Sequence, residues 1–258
     1  MLSALTAGAL ADAESRREDI SYALIERRAL AASPARDAAS ALRRAETMRV
    51  IAEIKRSSPS KGALASIVDP AALAADYARG GASAISVLTE GRKFGGSLAD
   101  LAAVRAAVSI PILRKDFISI EYQILEARAF GADLALLIVA ALDQKTLARL
   151  HDFVRQLGMT PLVETHTADE VLRANDIGAQ LVGVNARNLS TFELDTSLFG
   201  QVRHLIPDGV TAVAESAVFT VDDVQHYRDA GADAVLVGEA LVKDGNPVER
   251  VAQFVGVS

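Results

Sequence analysis

Four times along this chain a helix-like stretch stops at glycine and a short apolar run begins: at Gly80-Gly81-Ala82, Gly131-Ala132-Asp133, Gly178-Ala179 and Gly231-Ala232-Asp233. Glycine tolerates the left-handed backbone that ends a helix, so each point reads as helix giving way to strand. The apolar runs are near-continuous, the pattern of strands covered on both faces. Strands are expected at about 48–55, 83–88, 110–114, 133–139, 160–164, 180–185, 210–214 and 233–237. Between them, amphipathic periodicity predicts helices at Pro70–Arg79, Leu98–Ala107, Glu121–Phe130, Gln144–Leu157, Ala168–Asn175, Val221–Asp229 and Pro247–Val255. Strands alternating with helices require a parallel sheet. Eight such units in 258 residues close most naturally into a (β/α)8 TIM barrel of the α/β class. A doubly wound open sheet competes, but no G-x-G-x-x-G follows any strand. Residues 1–46, rich in Ala, Arg and Glu, read as helix from about Leu2 to Glu46, broken around Ala32-Ser33-Pro34. One domain spanning 1–258, with those residues as an N-terminal helical extension, is the expected organisation.

Composition narrows the partners. Lys plus Arg is 27 and Asp plus Glu is 33, a net charge of −6. That argues against nucleic acid or an anionic membrane as the main partner, since both favour basic patches. A small anionic substrate still fits, because a few lysines can serve it inside an acidic protein. The absence of cysteine excludes a disulfide framework, a thiolate metal site and a cysteine nucleophile. The four histidines, His151, His166, His204 and His226, lack metal-ligand spacing and are read as helix-surface or loop residues, so no metal is expected. The opening M-L-S-A-L-T-A-G lacks the basic start of a secretory signal, and no apolar run reaches membrane-spanning length. A cytoplasmic location is the expectation.

In such barrels the working residues sit at the carboxyl ends of strands. Met48 to Gly62 is the most informative stretch. Alternation along a strand puts Val50, Ala52 and Ile54 on one face and Ile51, Glu53 and Lys55 on the other. By the same alternation Lys115 shares a face with Leu113, Glu164 with Leu162, and Asn185 with Gly183, while Arg187 lies just beyond. Glu215 and then Ser216 follow the seventh strand. Any one of these residues suits an ordinary rim; complementary types on several strands point to an active site. A lysine tuned toward neutrality is a competent general acid, and a glutamate across the mouth its complementary base. A Schiff-base role for Lys115 or Lys55 stays open on the residues alone. Ser216-Ala217 and Gly238-Glu239-Ala240 occupy the usual phosphate-binding loops of the fold, where Gly238 would allow close approach of backbone to ligand. Arg56 to Gly62 reads as a mobile first loop carrying donors over the mouth.

These segments together closely resemble the indole-3-glycerol-phosphate synthase family of tryptophan biosynthesis. The matching stretches are I-A-E-I-K-R-S-S-P-S-K-G at 51–62, S-V-L-T-E at 86–90, P-I-L-R-K-D-F at 111–117, L-V-E-T-H at 162–166, V-G-V-N-A-R-N-L at 182–189, A-E-S at 214–216 and V-L-V-G-E-A-L at 235–241. The resemblance implies ring closure of 1-(2-carboxyphenylamino)-1-deoxyribulose 5-phosphate with loss of carbon dioxide and water, without cofactor or metal. It implies Lys115 as general acid, Glu164 as the group assisting proton transfer, and Lys55, oriented by Glu53, as partner of substrate anions and a sharer of the acid duty. Asn185 would hold the substrate, and Arg187, Glu215, Ser216, Ala217, Gly238 and Glu239 would line its binding site. Ser58, Phe117, Leu136 and Leu189 match positions that grip the aromatic ring and its carboxylate. The implied partner is a small phosphorylated molecule, with no nucleic acid and no membrane; a monomer is the expected state, and other enzymes of the tryptophan pathway are conceivable partners.

The chain departs from the family pattern where Ala217 replaces a customary Gly, where Lys93 precedes Phe94 in place of a second aromatic, and where Asn188 stands for Asp. Two other readings compete. A sugar-phosphate isomerase on the same barrel, of the phosphoribosylanthranilate isomerase type, typically uses a cysteine–aspartate pair that this chain lacks. A non-catalytic phosphate-binding barrel has only Ala217 in its favour.

Overall fold

A computed structural model describes residues 1–58, 62–63, 67–188, 191–243 and 245–258. Three helices come first: α1 (Leu2–Asp19), α2 (Tyr22–Ala31) and α3 (Ala38–Leu42). The barrel follows as β1 (Arg49–Ile54), a small hairpin of β2 (Ser57–Ser58) and β3 (Gly62–Ala63), α4 (Pro70–Arg79), β4 (Ala84–Leu88), α5 (Leu98–Ala107), β5 (Ile112–Lys115) and α6 (Glu121–Ala129). It continues through β6 (Leu134–Ile138), α7 (Gln144–Gln156), β7 (Thr160–Thr165), α8 (Ala168–Asp176), β8 (Leu181–Asn185), α9 (Leu198–Val202) and β9 (Thr211–Glu215). It ends with α10 (Val221–Asp229), β10 (Ala234–Val237), α11 (Glu239–Val242) and α12 (Pro247–Val255). Eight strands pair in parallel in the closed order β1-β10-β9-β8-β7-β6-β5-β4, the (β/α)8 barrel that the alternating pattern predicts. No described helix is long and apolar enough to cross a membrane.

Alternation splits the core into two layers. Val50, Ala52, Ile54, Val163 and Val235 face outward into the shell between sheet and helices, while Ile51, Leu113, Leu162, Val213 and Leu236 fill the barrel interior. The helices start where their sequences provide caps: Asp143 accepts from Thr146 N, Thr167 from Glu170 N, and Thr220 forms a reciprocal box with Asp223. Gly131 and Gly231 take φ of 91° and 94°, the left-handed turns expected between helix and strand.

The N-terminal segment spans both ends of the barrel. Helix α3 packs on β1 and β4, and its Ala38 and Leu42 are fully buried in the interior layer. On either side of it, Arg36 N donates to Asp133 Oδ1 at 2.8 Å and Arg44 Nη1 to Asp233 Oδ1 at 3.3 Å, just before β6 and β10 begin. The same two aspartates accept from Ile112 N and Ala212 N with their other oxygens, so each ties the N-terminal segment to the start of a neighbouring strand. At the opposite end, Leu5 of α1 reaches the barrel mouth.

The observed elements correct several expectations. The N-terminal helical stretch is shorter than 2–46: the chain breaks additionally at Ile20-Ser21, where Ser21 caps α2, and leaves helix at Arg43 to enter β1. Helices α9 and α11 and the β2–β3 hairpin were not expected; at 5, 4 and 2 residues they are too short to show a period.

Candidate active site

Strand ends β1, β5, β7, β8 and β9 bring their charged and polar side chains into one cavity at the barrel mouth. Of the residues singled out from sequence, Glu53, Lys55, Ser58, Lys115, Phe117, Leu136, Glu164, Asn185, Arg187, Glu215, Ser216, Ala217, Gly238 and Glu239 all line it. Leu189 lies outside the described residues.

Lys115 is the hub. Its Nζ donates to Glu164 Oε2 at 2.9 Å and also contacts Glu215 Oε2. Glu164 is 2 % and Glu215 1 % exposed, so their charge is balanced chiefly by protein groups. Across the mouth, Lys55 Nζ contacts Glu53 Oε1, the pairing expected of two residues on the same strand face. Asn185 is oriented by its own acceptors: Oδ1 takes hydrogen bonds from Arg187 N (3.0 Å) and Ser216 Oγ (2.8 Å), leaving Nδ2 to donate to Glu164 Oε1 at 3.2 Å.

These contacts separate the titrations of the cluster. Burial alone would push the Lys115 ammonium down, but Glu164, Glu215 and Glu53 outweigh it and hold it above the ordinary lysine range. A lysine tuned toward neutrality is therefore not what the fold builds; Lys115 is a cation locked among carboxylates, in a protonation state unsuited to Schiff-base attack. Burial pushes both buried glutamates up. At Glu164, Lys115 and His166 reverse this and hold the carboxyl well below its usual range. At Glu215, burial wins over Lys115, Glu164 adds repulsion, and the carboxyl is pushed up to about 8. Two neighbouring carboxylates with opposed shifts are the mark of an acid–base division of labour.

The strand that presents Lys115 is anchored from its other face. Arg114, in the opposite phase, is fully buried and donates to Thr89 Oγ1 (3.0 Å), Asp116 Oδ2 (2.9 Å) and Glu126 Oε2 (3.1 Å). Asp116 Oδ1 in turn accepts from Phe117 N at 2.8 Å, and Glu126 is gripped by Arg16 of α1. A buried cation satisfied by two carboxylates fixes the residues on both sides of Lys115.

One wall of the mouth is aromatic. Phe94 and Phe117 stand with ring centroids 6.0 Å apart. Phe94 is delivered by a loop wrapped around the Glu90 carboxylate, which accepts from Arg92 N (3.0 Å), Lys93 N (2.7 Å) and Phe94 N (2.9 Å). Lys93, the departure from the family pattern, points to solvent. The base of the first loop is less free than expected: Arg56 is spent on Asp100 in a two-pronged ion pair, and Ser57 Oγ donates to Lys93 O.

At the loops expected to hold phosphate, Ser216 and Ala217 both take left-handed φ, 70° and 54°. A Cβ at Gly238 would stand 2.9 Å from Glu53 Oε1, so the glycine there makes room for Glu53. Glu239 pairs with Lys243 at 2.5 Å.

Sequence reasoning missed Leu5, Leu88, Ile138 and Phe192, which also line the cavity. Leu88 and Ile138 were legible, since they end strands in the inward phase. Leu5 comes from the N-terminal extension and Phe192 from an irregular loop at φ 64°, and no periodicity points to either. Two histidines also depart from the surface reading: His151 is buried in α7, and His166 sits between Glu164 and Glu170. Among the described residues, no group of three or more His, Asp or Glu side chains is arranged to hold a metal ion.

The family model for indole-3-glycerol phosphate synthase matches residues 2–254. The indole-3-glycerol phosphate synthase of Leifsonia xyli subsp. xyli is 62% identical over 257 residues, covering 100% of this chain and 98% of the relative. That of Streptomyces griseus subsp. griseus is 58% identical over 248 residues, covering 96% and 92%. Among solved structures, an N-acetylmannosamine-6-phosphate 2-epimerase from Clostridium perfringens superposes with a TM-score of 0.61 at 15% identity, over 80% of this chain and 90% of its own; at that identity it shares the fold alone. The chain belongs to the indole-3-glycerol phosphate synthase family.

Proposed function

We propose that the mouth closes the indole ring of its substrate, 1-(2-carboxyphenylamino)-1-deoxyribulose 5-phosphate, by acid–base chemistry divided between Lys115 and Glu164. The observation that carries this reading is the position of Lys115 Nζ, 2.9 Å from Glu164 Oε2 and in contact with Glu215. As the aromatic carbon attacks the ribulose carbonyl, negative charge develops on the carbonyl oxygen. An ammonium held in place beforehand stabilises that charge and donates the proton. Loss of carbon dioxide from the same ring carbon restores the aromatic system. Dehydration then needs a base for the carbon-bound proton and an acid for the departing hydroxyl. Glu164, kept ionised, takes the first role; Lys55, paired with Glu53 across the mouth, serves the second and binds the substrate anions. Glu215 holds a proton near neutrality next to Lys115 and can return one to it after donation. Phe94, Phe117 and Leu136 receive the anthranilate ring, and the loops at Ser216-Ala217 and Gly238-Glu239 receive the phosphate.

The test is product formation by the purified protein without added metal, followed as indole fluorescence. Replacing the ammonium by an uncharged chain of similar length, Lys115→Met, is expected to lower kcat by the ~10²–10⁴-fold typical of a general acid. Turnover close to that of the parent would remove Lys115 from the mechanism.

A further inference from the structure

Glu164 and Glu215 are both buried, and both meet the same ammonium, yet their surroundings differ in one respect. Glu164 has a second cation site behind it. His166 is two residues further along, just past the end of β7. Its Nε2 lies 3.2 Å from Glu164 Oε1, at ion-pair distance but without hydrogen-bond alignment, and its Nδ1 lies 3.2 Å from Glu170 Oε2. Among the described residues Glu215 has no counterpart to this, and its Oε1 is buried without a hydrogen-bond partner.

Glu170 holds the histidine twice. The sequence T-A-D-E at 167–170 starts α8 as a capping pair, with Glu170 N donating to Thr167 Oγ1. The Glu170 carboxylate reaches back past the cap and accepts His166 N at 2.8 Å as well as meeting the ring. Backbone and imidazole are thus fixed by one side chain, and ring rotation away from Glu164 would break the Glu170 contact.

We propose that His166 is a positioning residue: an imidazolium tethered by Glu170, which settles that Glu164, and not Glu215, is the ionised carboxylate of the mouth. This rests on the reading of Glu164 as the base. The groups facing Glu164 are Lys115 from β5, Glu215 from β9, Asn185 from β8 and His166 from its own chain end, with Glu53 of β1 facing Lys115. Lys115 touches both carboxylates and so cannot by itself choose between them. His166 touches one. The ring, in turn, faces Glu164 and Glu170, and the cavity on its far side carries Glu193 and Asp195. Among the described residues lining that cavity there is no lysine or arginine to oppose protonation of the ring. Burial alone would favour the neutral imidazole, but Glu164 and Glu170 outweigh it and push the ring up to about 10.

The sign of the effect follows. A base must be deprotonated to act, so activity rises with pH as Glu164 ionises. Removing the adjacent cation makes that ionisation harder and moves the acid limb of the profile to higher pH. His166→Gln is therefore expected to shift the acid limb of kcat by one pH unit or more upward, with kcat reduced about tenfold on the parent's limb and recovering as pH rises, and KM nearly unchanged. A loss by a constant factor at every pH, or a profile superposable on the parent's, overturns the proposal, because a purely structural histidine would give one or the other. The second measurement uses the unaltered chain and does not depend on the variant folding: ¹⁵N spectra of its histidine rings at pH 8.5 should retain an imidazolium signal, which Glu170→Gln weakens or abolishes. Absence of any imidazolium at that pH overturns the proposal. Glu164→Gln separates the two readings. If it retains turnover, the base assignment fails; if it is inactive while His166→Gln leaves the profile unmoved, only the positioning role fails.

Discussion

Gly183 leaves open the space that the Glu215 carboxylate fills. A Cβ built at position 183 would fall deep inside van der Waals contact with Glu215 Oε1, and would lie 3.1 Å from its Cδ and 3.4 Å from Leu162 Cδ1. Gly183 is the register partner of Glu164 on β7 and of Val213 on β9, so the gap lies in the barrel wall beside both carboxylates. The carboxylate is the free end of a side chain that borders the mouth cavity, so a methyl at 183 would turn it out of its place beside Lys115.

Gly183→Ala is therefore expected to push Glu215 off Lys115 and lower kcat at least tenfold, while the melting temperature falls by only a few degrees because the backbone there is ordinary strand. Steady-state kinetics on the single and double variants check it. If the alanine acts through Glu215, Gly183→Ala combined with Glu215→Gln should cost little more than the larger single change. Additive losses would show that the glycine serves something other than Glu215.

Glu215 also gives the fold a pH signature. Its carboxyl is pushed up to about 8 by burial, against an unfolded value near 4.3. Between those values the folded chain binds the extra proton, so stability falls as pH rises from about 4.3 to 8, a loss that is complete above that range. Glu215→Gln removes this titration. The variant is expected to gain melting temperature relative to the parent, more at pH 9 than at pH 5, while losing turnover. His166, raised by its carboxylate neighbours, also lowers stability with rising pH, but it does so in both chains and cancels in the comparison. Equal differences at pH 5 and pH 9 would refute the raised Glu215.

The barrel and the convergence of Glu53, Lys55, Lys115, Glu164, Asn185 and Glu215 were legible because strand alternation carries both. Once Leu113 faces inward, Lys115 must as well, and the (β/α)8 topology brings every strand end to one rim. What alternation does not carry was not legible. Leu5 reaches the mouth only because α1 packs across it, and Phe192 only because its loop turns through a left-handed residue. Gly183 reads as a strand glycine, and its purpose shows only when Glu215 is in place beside it. The protonation of Lys115 depends on which carboxylates come within reach, Glu164, Glu215 and Glu53 among them, and no linear spacing encodes that.

Ala217 offers a check on the loop proposed to hold the phosphate. It is 6 % exposed and held at φ 54°, next to Ser216 at φ 70°. A left-handed backbone costs a residue with a Cβ roughly 1–2 kcal/mol. Glycine removes that cost but gives up conformational freedom on folding worth roughly 0.5–1 kcal/mol and the burial of one methyl, about 0.8 kcal/mol. These contributions nearly cancel, so Ala217→Gly is expected to move stability by less than about 1 kcal/mol in either direction. Its effect on binding has a definite sign. The loop can then settle around the phosphate without strain, and KM for the sugar phosphate should be equal to the parent's or lower. Urea unfolding and substrate titration on the same preparation separate the two quantities, and a clearly raised KM with unchanged unfolding would show that the Ala217 methyl itself contacts the ligand.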